Sequence, residues 1–165
     1  MNLKKRTTVL ALAVMAALTM TAPRVSGEDK GSSNERTIVG AWRTVVTPRN
    51  CLTSDALGTL KGLFTFNEGG TMSEYGIGPG QSPALRSPGH GVWQRDPGWR
   101  DYSIAFTYYR YDTNGVFIGS QRVKAAVHLD TNGDTFTTKS TIEVLNANDN
   151  VIANGCATAV GTRFE

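Results

Sequence analysis

Two histidines, His90 and His128, and two cysteines, Cys51 and Cys156, are the scarcest chemistry-bearing residues in this chain of 165. Nucleophilic or acid–base catalysis needs such groups within hydrogen-bond reach of one another. The two histidines fall in separate segments, and Ser87, in Ser87-Pro88-Gly89-His90-Gly91, lies in a stretch shaped by Gly and Pro with no activating base. Glu68, Glu74 and Glu143 make no close acidic pair. Glu74 would be a buried base only if its row faced inward, and its place near a strand end points to solvent. Asp130-Thr131-Asn132-Gly133-Asp134 offers oxygen ligands but lacks the terminal Glu of an EF-hand loop, so it reads as a hairpin turn. No Gly-x-Ser-x-Gly, His-Glu-x-x-His or phosphate-cradling glycine loop occurs. The sequence therefore predicts no catalytic residue, no metal site and no cofactor.

The cysteines depend on the compartment. Lys4, Lys5 and Arg6 precede an apolar run from Val9 to Met20, the pattern of a secretory signal peptide. Small residues at Val25-Ser26-Gly27 place the cut near Gly27, giving a leader over 1–27 and an exported product, periplasmic or extracellular. The run is shorter than the roughly 20 residues a membrane helix requires, and no membrane span is expected elsewhere. Losing Lys4, Lys5, Arg6 and Arg24 leaves 13 basic against 14 acidic side chains, which removes the electrostatic case for a nucleic-acid partner. Export also favours a Cys51–Cys156 disulfide, which closes a loop of about 100 residues and restricts the unfolded chain. Residues 28–36 are polar and read as a flexible lead-in, with one domain over 37–165.

Beyond Arg36, apolar and polar residues alternate in eight runs, at about 37–47, 60–66, 71–77, 91–96, 101–111, 116–129, 135–145 and 151–163. Turn residues such as Asp112-Thr113-Asn114-Gly115 separate most of them. Two connections are longer: Pro48 to Thr59, with one possible helical turn at Ser54–Leu57, and the Gly- and Pro-rich stretch from Gly78 to Gly89. Short turns make neighbouring strands antiparallel and leave two open edges, which pairing of the first and last strands removes. The predicted fold is all-β: an eight-stranded antiparallel up-and-down barrel. A Cys51–Cys156 bridge between those strands would put Arg163 opposite Thr44, one diagonal step from Trp42.

A barrel of this size can be filled or can hold one small ligand. The predicted inner rows combine Phe64, Phe66, Met72, Tyr102, Phe106 and Tyr108 with small residues (Ser140, Ala153, Gly155, Ala157, Ala159) beside Ile142. Large side chains facing small ones leave space, which makes Phe64, Phe66, Met72, Tyr102, Phe106, Tyr108, Ser140 and Ile142 the candidate ligand-binding set. The sixth run has two readings. A two-residue loop at Asn114-Gly115 sets Phe106 opposite Val123 and turns Phe117, Val123, Val127 and Leu129 inward. A three-residue loop flips the row and brings Arg122, Lys124 and His128 into the lumen. Burying two cations without carboxylates costs several kcal/mol, which favours the first reading.

Gly40-x-Trp42 at the start of the first strand, the eight-strand meander and Thr162-Arg163-Phe164 at the end of the last resemble the calycin superfamily of lipocalin-like barrels. The resemblance implies that Trp42 closes one end of the barrel and packs on Arg163. The chain departs from well-described subfamilies in having no helix after the eighth strand. Three functions follow as expectations: a secreted barrel binding a small hydrophobic or aromatic molecule, a barrel-cavity enzyme of cyclase or isomerase type with an ionisable group inside, or a filled barrel acting as an envelope interaction protein through loops such as 78–90.

Overall fold

The computed structural model describes residues 36–164. The predicted leader, its cleavage point and most of the polar lead-in lie outside the described residues. Alternation of period two builds eight strands: β1 (Gly40–Arg49), β2 (Leu60–Phe66), β3 (Thr71–Ile77), β4 (Gly89–Arg95), β5 (Asp101–Tyr111), β6 (Phe117–Leu129), β7 (Thr135–Asn146) and β8 (Val151–Arg163). They form a closed antiparallel barrel in sequence order, β8 pairing back onto β1. Closure satisfies the backbone groups that two free edges would leave exposed. No described helix is long and apolar enough to cross a membrane. Ser54–Leu57 forms no helical turn, and among the described residues the single 3-10 turn is Pro83–Leu85 in the other long connection.

Closure uses a register two residues away from the expected one. Trp42 lies directly opposite Arg163, and Arg49 rather than Cys51 opposite Cys156. Cys51 sits in the turn beyond β1 and reaches Cys156 from there, with Cα atoms 5.3 Å apart. A shift of two preserves the side-chain faces, so Trp42 and Arg163 stay on one side of the ladder.

That pair organises the closed end. The Arg163 guanidinium lies 4.2 Å from the centre of the Trp42 ring. It donates from Nε to Gly133 O at 2.8 Å, from Nη1 to Val39 O at 2.7 Å and from Nη2 to Thr37 O at 2.6 Å. The Trp42 indole donates to Ile38 O at 2.9 Å and meets Phe136 edge-on at 4.8 Å. Gly40 has φ 131°, which favours glycine, and a Cβ there would stand 2.7 Å from Arg163 Nη1 and press on the guanidinium that holds this end. Phe66, Met72, Tyr102, Leu129 and Phe136 fill the same end.

The sixth strand resolves in an unexpected way. The turn is the three-residue one: Asp112 N donates to Val116 O, Gly115 has φ 78°, and Tyr111 faces Phe117. A bulge then takes up one residue before Arg110 meets Gly119, where φ is 135°. The two offsets cancel, so Phe106 still faces Val123. Val123, Val127 and Leu129 point inward, and Arg122, Lys124 and His128 are exposed. Phe117, expected inward, is turned outward by the bulge and packs on Tyr109 and Tyr111. Ala153, placed on the inner row by alternation, is exposed.

Replacing Arg163 by Ala should lower the unfolding free energy by about 2–4 kcal/mol, because three charge-assisted hydrogen bonds and a cation–π contact vanish together. Urea denaturation measures this, and a loss below about 1 kcal/mol would contradict the closure described here.

Candidate functional site

Large aromatics crowd one end of the barrel, while Gly and Ala supply much of the β8 wall, so packing is complete only below Phe64 and Phe106. These two rings meet edge-on at 5.9 Å. Above them opens a cavity of about 580 Å³, bounded at the mouth by the disulfide and the exposed Leu52 and Leu57. Its wall is mainly apolar, with Val46, Leu60, Ile104, Val123, Ala157 and Ala159 among its residues. Of the predicted set, Phe64, Phe106, Tyr108, Ser140 and Ile142 line it. Phe66, Met72 and Tyr102 do not reach it: they belong to the packed closed end, where Phe66 and Tyr102 sandwich Trp93 in edge-on contacts.

The polar part of the cavity lies where the barrel wall is weakest. The β3–β4 ladder is short, running from Thr71–Val92 to Glu74–Gly89, after which the strands separate. Residues 86–88 patch this gap: Arg86 bridges Arg110, and Ser87 N donates to Tyr109 O at 3.0 Å. From this patch the Arg86 side chain enters the wall. Nη1 donates to Gly76 O at 3.2 Å, Nε to Ser87 O at 3.1 Å, and Nη2 pairs with Glu74 Oε1. The guanidinium lies 3.5 Å above the Tyr108 ring and 5.6 Å from that of Tyr75.

Glu74 thus corrects the sequence reading that placed it in solvent. It is in phase with Met72 on the inner row of β3, and only 5% of it is exposed. Gly89 opposite it makes the room, since a Cβ there would fall 2.4 Å from Glu74 Oε1. Burial raises the pKa of the Glu74 carboxyl, against the opposing effects of the Arg86 charge and hydrogen bond. Burial likewise raises the Tyr108 phenol, with Arg86 acting in the other direction. The inward phase of Glu74 was available from the Met72-x-Glu74 alternation. Arg86 left no comparable signal, because a residue in an irregular connection has no periodicity.

The other candidates stay apart. His90 is exposed on β4, while His128 sits outside and contacts Asp101 Oδ1 at 2.8 Å. The Asp130 turn is a hairpin in which the Asp130 carboxylate accepts from Asp134 N and Thr135 N. Among the described residues, no three His, Cys, Asp or Glu side chains converge to hold a metal ion.

No family model matches the chain, and no curated protein does either. Among solved structures it is similar to an S-type phycobiliprotein lyase, CpeS, from Guillardia theta, at 11% identity over 77% of this chain and 88% of that one, with a TM-score of 0.41. At that distance neither ligand nor activity carries over.

The raised Glu74 pKa predicts a pH dependence. A carboxyl that holds its proton more tightly when folded makes the folded state relatively more stable as pH falls through its folded pKa towards the usual 4.5, and adds nothing further below that. The stability difference between wild type and Glu74→Gln, measured by urea denaturation from neutral pH downward, should shift in favour of wild type over that window and be level below it. The opposite slope would mean that Arg86 outweighs burial.

Proposed function

We propose that this protein is an exported, lipocalin-like barrel that binds a small, largely apolar molecule in its mouth-side cavity. The cavity carries this reading. About 580 Å³ stands open above a densely packed floor, within the range of small-molecule sites, and its apolar wall with a few convergent polar groups has the composition of one. Phe64, Phe106 and Ile142 would contact the apolar body, and Tyr108 and Ser140 would orient a polar substituent. Export is supported by the leader-like start of the sequence and by the Cys51–Cys156 bridge, which persists in an oxidising compartment. The calycin resemblance is supported by the closed eight-strand order and by Trp42 seated under Arg163.

A second reading, a barrel-cavity enzyme of cyclase or isomerase type, is favoured by one observation. Glu74 brings an ionisable group with a raised pKa to the cavity wall, and a buried carboxyl of that kind can move a proton on a bound molecule.

Ala157 is buried and lines the cavity, so Ala157→Trp would occupy it. With the fold verified by circular dichroism, the wild type should enhance the fluorescence of the neutral apolar probe N-phenyl-1-naphthylamine, and the variant should bind at least about tenfold more weakly, a change of about 1.4 kcal/mol. Equal affinity in both proteins would place the probe elsewhere and sink the lumen-binding reading.

A further inference from the structure

The two partners of the cavity ion pair sit on unequal backbone. Glu74 is held within the sheet, in register with Phe64 on one side and Gly89 on the other. Arg86 belongs to the irregular connection after the Pro83–Leu85 turn and reaches the carboxylate by crossing the gap between β3 and β4. The Glu74 side chain is 4% exposed and that of Arg86 15%, so the cation is the partner nearer water. A carboxylate at its edge and an aromatic ring beneath it are the two features that hold an organic cation in a protein. The Tyr108 face and Glu74 supply both, and the chain's own arginine lies between them. From Tyr108 the wall continues through Ile104 and Phe106 into the apolar cavity.

We propose that Glu74 and Tyr108 constitute a cation site held in cis by Arg86, and that the molecule bound is an apolar amine whose ammonium group displaces that arginine. This rests on the lumen-binding reading above and names its ligand class. Charge balance decides between an amine and an acid. A carboxylic acid drawn to Arg86 would bring a second carboxylate beside Glu74, which the strand cannot withdraw, and two buried carboxylates against one guanidinium repel each other. An ammonium replaces one cation with another. Arg86 then turns towards water at the mouth, where rehydration of its guanidinium offsets the lost pairing. Arg49, the other charged side chain on the cavity wall besides this pair, is bonded to Thr158 Oγ1 at 2.8 Å and to Ser54 O at 2.9 Å.

The test is competition of octylamine, octanol and octanoate against N-phenyl-1-naphthylamine in the wild type, Arg86→Met and Glu74→Gln. Methionine keeps an apolar stem over Tyr108 and vacates the cation site; glutamine keeps the shape of Glu74 and removes its charge. Octylamine should outcompete octanol about threefold in the wild type, at least about tenfold in Arg86→Met, and not at all in Glu74→Gln. An amine-to-alcohol ratio that neither substitution changes would overturn the proposal and leave Arg86 as a seal in the wall. Octanoate winning in the wild type and losing that advantage in Arg86→Met would overturn it in favour of an acid site. Should Arg86→Met fail to fold, the Glu74→Gln ratio decides alone. If the probe binds none of the folded proteins, the lumen-binding reading falls and this one with it, whereas probe binding without amine preference overturns only the ligand class.

Discussion

Arg163 stacks its guanidinium face on Trp42 and spends its edge on three backbone carbonyls, and the barrel depends on both uses at once. A guanidinium is weakly hydrated on its faces and strongly so at its edge, so it can be partly buried against a ring if its N–H groups find acceptors. The acceptors come from the approach to β1 and from the β6–β7 turn. One side chain at the end of the last strand thereby joins the beginning of the first strand to a distant hairpin. Pairing of β8 with β1 brings Arg163 opposite Trp42, and the packed floor of Phe66, Tyr102, Leu129 and Phe136 is built above that contact.

The mouth repeats the device with one difference. Arg86 also lies on an aromatic ring and also donates to backbone carbonyls, but its third partner is a carboxylate facing the lumen. At the closed end the cation is neutralised by dipoles that belong to fixed backbone. At the mouth it is neutralised by a side chain at the wall of an open cavity, and burial acts on that side chain strongly enough to raise its pKa. The first arrangement is suited to holding strands together, and the second leaves its cation beside an open cavity. Both arise from an interruption in the β-ladder: Arg163 ends β8, and Arg86 enters where β3 and β4 separate.

Much of this was legible in particular residues. The inward position of Ser140 and Ile142, the outward position of Arg122, Lys124 and His128, and the disulfide followed from alternation, the penalty for burying unpaired cations, and the expectation of export. Phe117 did not follow, because a three-residue turn and a bulge cancel over most of β6 but not at its first residues. Phe66, Met72 and Tyr102 were legible as inward-facing but not as floor rather than cavity wall. Alternation reports which face a residue takes and carries no information on depth along the barrel axis.

The sequence by itself determined the number of strands, their antiparallel order and, away from the bulges and from Glu74, which side chains face inward, because those properties follow from a local period of two and from short turns. Only the tertiary structure decided where the barrel is filled and where it is open, and that Glu74 and Arg86 meet. The meeting requires a short β3–β4 ladder, a glycine at position 89 that leaves room for a carboxyl, and a connection that folds back across the gap. The glycine stands in the sequence, but where the ladder ends and how the connection returns do not, and a side chain in an irregular connection has no period from which its direction can be read.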